Sequence, residues 1–126
     1  MLVAGGLTFT AAGDATFGDA GTDQVTLSGP TTITTAAANK NQTYNAKVDG
    51  ANNLTLAAGS GTIGFNAAVG SSTALGSGTG AAISITSGAT TFNSTLATAS
   101  GISSAADVTF KDDVTLAAGN TATTLN

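Results

Sequence analysis

Apolar and polar residues alternate along this chain only over very short spans. Triplets of the form apolar-x-apolar stand at Leu7-Thr8-Phe9, Leu54-Thr55-Leu56, Ile83-Ser84-Ile85 and Val114-Thr115-Leu116, and Ile33 and Ile102 mark weaker versions. A period of two over so few residues predicts short strands with one buried face. The spans between them, such as Ala57-Ala58-Gly59-Ser60-Gly61, carry turn chemistry.

A second pattern lies over the first. An aromatic residue recurs at Phe17, Tyr44, Phe65, Phe92 and Phe110, and Leu125 stands in the same Thr-apolar context. Thr precedes these anchors at Thr16, Thr43, Thr91, Thr109 and Thr124, with Gly64 the exception, and Asn follows at Asn45, Asn66, Asn93 and Asn126. Four positions beyond the anchor come Val48, Val69, Leu96 and Val114, while Gly21 breaks the rule. The anchors use every aromatic residue except Phe9. Their intervals are unequal, but the span from Phe17 to Phe65 equals that from Tyr44 to Phe92, which hints at a longer unit of two alternating turns.

A repeat of about 20 residues holding two or three short strands is the mark of a β-solenoid. The sequence therefore predicts an all-β chain, one parallel β-solenoid segment over residues 1–126, with about five to six coils of roughly 18–27 residues. Equivalent residues of successive coils then lie about 4.8 Å apart. Phe17, Tyr44, Phe65, Phe92, Phe110 and Leu125 become one interior column, and Asn45, Asn66 and Asn93 become corner residues. Asn suits a corner because it tolerates the left-handed conformation and its amide can join a ladder. An antiparallel β-sandwich, for instance a polysaccharide-binding module, is the competing fold, but its strands have no reason to repeat residue identity at one phase.

Composition narrows the function classes. The chain is 41% hydrophobic and only 8% charged, with mean hydropathy +0.26 and net charge −4, which is a folded rather than a disordered balance. Lys40, Lys47 and Lys111 are the only cations, too few to neutralise a nucleic acid backbone. Without cysteine or histidine there is no disulfide framework, no thiolate and no imidazole for metal or proton transfer. No apolar run reaches the length of a membrane-spanning helix, and Met1-Leu2-Val3-Ala4 lacks the basic and apolar regions of a signal peptide.

The candidate chemistry is thin. All seven acidic residues are Asp: Asp14, Asp19, Asp23, Asp49, Asp107, Asp112 and Asp113. Asp112 and Asp113 are adjacent, so on a strand they point to opposite faces and do not converge on one bond. The chain reads as non-enzymatic and without cofactor. Asp19, Asp23 and Asp49 lie in turn-like contexts that could suit calcium, but a lone turn Asp more often bonds backbone, and the calcium-binding β-roll nonapeptide is absent. Sequons at Asn41, Asn53 and Asn93 match the number that chance gives in so Ser/Thr-rich a chain. Ice binding is an alternative class, since Thr8-Phe9-Thr10, Thr32-Ile33-Thr34 and Thr121-Ala122-Thr123 resemble the Thr-x-Thr rows of flat ice-binding faces. These triplets do not fall at one phase of the repeat and coil length varies by several residues, so a flat matched array is not expected.

The runs 42-QTYNAKVDGANNLTLAAGSGTIGFNAAVGSSTALGS-77, 90-TTFNSTL-96 and 109-TFKDDVTLAAGNTATTLN-126 resemble the repeats of very large secreted bacterial proteins of the filamentous haemagglutinin and autotransporter-passenger type. The resemblance implies a right-handed parallel β-helix displayed outside the cell, in proteins associated with adhesion, biofilm and surface structure. It brings no catalytic residues. It implies as partners neighbouring coils or copies of the same chain, and a cell-surface glycan or protein, with no nucleic acid and no membrane insertion. Because repeats run to both ends with no polar cap, the chain is expected to be a segment of a longer array whose open coils promote end-to-end stacking.

Overall fold

The computed structural model describes residues 2–116 and 123–125. Its strands are short, as the brief alternating runs predict. In chain order they are β1 (Leu2–Ala4), β2 (Thr8–Thr10), β3 (Ala15–Phe17), β4 (Gln24–Leu27) and β5 (Thr31–Thr34). The middle of the chain adds β6 (Gln42–Tyr44), β7 (Lys47–Asp49), β8 (Leu54–Ala57), β9 (Thr62–Phe65) and β10 (Ile83–Thr86). The remainder forms β11 (Ala89–Phe92), β12 (Leu96–Thr98), β13 (Ile102–Ser104), β14 (Asp107–Phe110) and β15 (Val114–Leu116). A single 3-10 turn, Ala36–Ala38, separates β5 from β6.

Every strand pairing among the described residues is parallel. A parallel partner cannot be reached by a tight hairpin, so the chain must travel before it pairs. Here it travels through two other sheets. An aromatic sheet stacks β3, β6, β9, β11 and β14; a hydroxyl sheet stacks β2, β5, β8, β10 and β13; a valine sheet holds β1, β4 and β7, then β12 and β15. Val69 links the two parts of the valine sheet by bridging Val48 and Leu96. The protein is all-β with parallel sheets, and the antiparallel sandwich is not its fold.

Register explains how circuits of unequal length stay aligned. Phe17, Tyr44, Phe65, Phe92 and Phe110 are direct partners along the aromatic sheet, although the lengths of chain between them differ. The extra residues of the longer circuits are confined to turns. Between Phe17 and Tyr44 they fall in the connection from β3 to β4 and around the 3-10 turn, whereas between Phe65 and Phe92 they fall between Val69 and β10. The equal spans from Phe17 to Phe65 and from Tyr44 to Phe92 are therefore not an alternating structural unit.

Two further expectations are corrected. Val114-Thr115-Leu116 pairs with Leu96-Ala97-Thr98 in the valine sheet, not with the triplets of the hydroxyl sheet. Leu125 is 40% exposed and does not extend the aromatic column. Its neighbour Thr124 bridges Ser103, so the chain is still crossing the hydroxyl sheet at this point. The interval from Phe110 to Leu125 is shorter than any complete circuit, the shortest of which runs from Phe92 to Phe110.

The core fills the space between the three sheets with one column per inward phase. Val25, Val48, Val69 and Leu96 form one, Leu54, Ile83 and Ile102 a second, and Ile33, Leu56 and Ile85 a third. Close packing of successive circuits constrains the corners. Gly70 adopts φ +74°, and a Cβ there would collide with the Ala97 carbonyl oxygen of the next circuit. Only glycine meets both conditions.

Candidate functional site

One column of stacked aromatic rings runs along the aromatic sheet. Ring centroids lie 4.9 Å apart for Phe17 and Tyr44, 4.5 Å for Tyr44 and Phe65, 4.7 Å for Phe65 and Phe92, and 5.3 Å for Phe92 and Phe110, with planes within 16° of parallel. Strand spacing dictates this separation, since rings carried at one phase of a parallel sheet must repeat at about 4.8 Å. Tyr44, Phe65 and Phe92 are buried; Phe17 and Phe110, at the two ends, are half-buried. Phe9 meets Phe17 edge-on at 5.6 Å and 70°.

An amide ladder runs beside the rings. Asn93 Nδ2 donates to Asn66 Oδ1 at 2.8 Å, Asn66 Nδ2 donates to Asn45 Oδ1 at 2.8 Å, and Asn45 Nδ2 ends the ladder on the Gly18 carbonyl at 3.2 Å. These corners do not use the left-handed backbone that the sequence predicts. Among the described residues Asn39 is the one non-glycine with positive φ, and it sits in the turn after the 3-10 segment. Asn126 lies outside the described residues.

A polar network that the sequence does not reveal surrounds Tyr44. Gln42 faces inward at the phase of Ile63, and its amide donates to the carbonyls of Ala57 (2.9 Å) and Ile33 (3.2 Å) while its Oε1 accepts from the Tyr44 hydroxyl at 2.9 Å. Burial pushes the Tyr44 phenol well above its usual value. The only sequence signal for this network is a glutamine where the neighbouring circuits carry an apolar residue.

Asp14, Asp23, Asp49 and Asp112 lie in or beside turns, where their carboxylates accept hydrogen bonds from nearby backbone. Asp112 and Asp113 are exposed, and Asp112 Oδ1 accepts the Asp113 backbone N–H at 2.8 Å. Asp49 is buried and holds the turn that follows Val69: its Oδ1 accepts from Ser72 N (2.8 Å) and Thr73 N (3.2 Å), and its Oδ2 from Gln24 Nε2 (3.2 Å). Asp23 Oδ2 accepts from Asp19 N at 3.0 Å and Ala20 N at 3.3 Å, and the bond from the Asp19 backbone, ahead of any other cause, holds the carboxyl below the usual carboxylate range. Among the described residues no three His, Cys, Asp or Glu side chains are placed to hold a metal ion. The sequon residues are structural too: Asn41 accepts from Thr62, Asn53 braces Ser77 and Thr79, and Asn93 belongs to the ladder.

The outer face of the hydroxyl sheet overturns one inference from sequence. Thr8-Phe9-Thr10 and Thr32-Ile33-Thr34 are direct register partners, so these triplets share one phase. The first Thr continues as a column through Thr55, Ser84, Ser103 and Thr124, and the second through Ala57 and Thr86. Circuit length varies in the turns, not in the sheet, and so leaves these columns regular. Thr121-Ala122-Thr123 falls partly outside the described residues.

Comparison with known proteins finds no matching family model, no matching curated protein and no matching solved structure. No helix among the described residues is long and apolar enough to cross a membrane.

Proposed function

We propose that this chain is a structural segment of an extracellular bacterial adhesin or surface fibre, folded as a right-handed parallel β-helix and working through shape and repetition rather than catalysis. The observation that carries the reading is the column of five stacked rings drawn from circuits of different length. Right-handedness follows from the strong preference of parallel strand connections for that hand. Under this reading the partners are neighbouring coils or copies of the same chain, stacked end to end. Its support is that the exposed large hydrophobics, Leu7 and Phe9 at one end and Val114, Leu116 and Leu125 at the other, all lie in the outermost circuits. Electron microscopy of purified material tests it. Filaments with a spacing of about 4.8 Å along their axis are expected, and a population of single particles that neither polymerise nor coat cells would defeat it.

The register of the hydroxyl sheet favours a second reading, ice binding. Its outward columns are uncharged, with hydroxyls and methyls repeating at about 4.8 Å along a column and about 6.7 Å across it. Partition into growing ice distinguishes the two. A protein that enters ice, and loses that property in Thr55→Tyr while keeping its fold, fits ice binding; exclusion from ice leaves the fibre reading alone.

A further inference from the structure

One corner of the molecule departs from the repeat. After Tyr44, Phe65, Phe92 and Phe110 the chain reaches the valine sheet four residues later, at Val48, Val69, Leu96 and Val114. After Phe17 it arrives only at Val25. Both ends of this excursion stay bonded to the circuit of Tyr44. The Phe17 carbonyl accepts from Asn45 N (2.9 Å) and Ala46 N (3.0 Å), and the Asp23 carbonyl accepts from Lys47 N (2.9 Å). Residues 18–22 are therefore added at the corner without disturbing the register on either side.

The added residues lie across the circuits that follow. Gly18 turns at φ +77° so close to Ala46 that a Cβ on it would stand 2.7 Å from the Ala46 Cβ, and a Cβ on Gly21 would stand 3.8 Å from that of Ala67. Ala46 belongs to the circuit of Tyr44 and Ala67 to the circuit of Phe65, so the excursion reaches past its neighbour to the circuit beyond. Burial along the corner follows its course. Two residues before the valine sheet, successive circuits place Ala46, Ala67, Ser94 and Asp112. Ala46 and Ala67 are only 2% and 8% exposed, whereas Ser94 is half-buried and Asp112 exposed. Asp23 fastens the base of the excursion: its Oδ2 accepts from Asp19 N and Ala20 N, and its own N–H donates to the Ala20 carbonyl at 3.0 Å.

We propose that residues 18–22 are a strap, which ties the circuit of Phe17 to that of Phe65 across the edge of the circuit between them and makes the three open as one unit. Strand pairing joins each circuit of a solenoid only to its neighbours, so an outer circuit can peel away by breaking a single interface. A contact that skips a circuit removes that freedom. The alanines suit the role, since a methyl group lets the strap lie close to the corner, whereas Ser94 and Asp112 at the same phase meet no such excursion. The strap acts within one chain, so the proposal goes beyond the fibre reading and does not depend on it.

Native-state amide hydrogen exchange on the full chain tests it. In the unaltered protein β3, β6 and β9 should exchange as one group. Deleting residues 19–22 joins Gly18 to Asp23 and restores the four-residue step of the other circuits, so the fold is expected to survive. In that variant β3 and β4 should exchange about tenfold or more faster and ahead of β6 and β9, with β11 and β14 unchanged. Gly21→Ala is the opposite perturbation. Gly21 does not use a left-handed backbone, and the added methyl meets Ala67 at an ordinary contact distance, so exchange in β3 and β4 should slow selectively. Unchanged exchange in β3 and β4 of the deletion variant, or a rise spread evenly over every sheet, would overturn the strap. If the deletion variant does not fold, Gly21→Ala decides alone: selective slowing upholds the strap, and no change or a uniform change refutes it.

Discussion

Removing the ring of Phe65 tests what holds the circuits together. Phe65 is fully buried and lies between Tyr44 at 4.5 Å and Phe92 at 4.7 Å, so Phe65→Ala deletes both stacking partners' central contact and leaves a ring-sized void. Large-to-small changes of this kind cost about 3–5 kcal/mol, through lost transfer energy and a cavity that the rigid ladders on either side cannot close. Phe110→Ala is the control. That ring is half-buried and has one stacking neighbour, so it should cost about half as much. Urea unfolding followed by circular dichroism gives both values, and amide hydrogen exchange shows where the damage falls. Since strand pairing joins each circuit only to its neighbours, exchange in Phe65→Ala should rise first in β6, β9 and β11. A cost below about 1 kcal/mol, or equal costs at Phe65 and Phe110, would refute the stacked column as the main source of cohesion.

Gln42→Leu fits the apolar phase of Ile63 yet strips partners from the Ala57 carbonyl and the Tyr44 hydroxyl, so it should destabilise by about 2–4 kcal/mol in urea unfolding. The Tyr44 phenol gives a pH signature. Its folded value is raised above the unfolded value of about 10, so between the two the folded chain holds a proton that the unfolded chain has lost, and stability should fall as pH rises past about 10. Tyr44→Phe should remove that alkaline decline. Gly70→Ala meets both a positive φ and the Ala97 carbonyl, and should lower stability by at least about 2 kcal/mol in thermal unfolding.

How much of this is legible in the sequence follows from what each residue type is asked to do. The aromatic phase can be read because a ring has one place in a narrow interior, so Thr-aromatic-Asn repeats wherever the chain returns to that sheet. Short strands can be read from the alternation. Register cannot. It depends on where the turns absorb extra residues, and Gly, Ala, Ser and Asp in the 18–23 and 70–82 segments give no local sign of it. That is why the Thr columns look out of phase in the sequence, why the triplet pattern puts Val114-Thr115-Leu116 on the wrong sheet although the anchor rule sets Val114 in line with Leu96, and why Leu125 is misplaced. The aspartates are legible as turn residues, but the burial of Asp49 is not, because Ser72 and Thr73, which cover it, belong to the next circuit. Gly21, where the anchor rule fails, does mark the corner at which the chain takes longer to reach the valine sheet.

Everything depends on parallel strands stacked one circuit above the next, and distances between paired spin labels measure that most directly. The chain has no cysteine, so Thr16→Cys with Thr109→Cys, and Thr8→Cys with Ser103→Cys, place labels at the two ends of the aromatic and hydroxyl sheets. Each pair spans four strand spacings with both side chains facing outward. Both should give a narrow distribution centred at about 19 Å, four times the spacing between neighbouring strands. A broad distribution, or centres that differ widely between the two pairs, would contradict the stacked circuits.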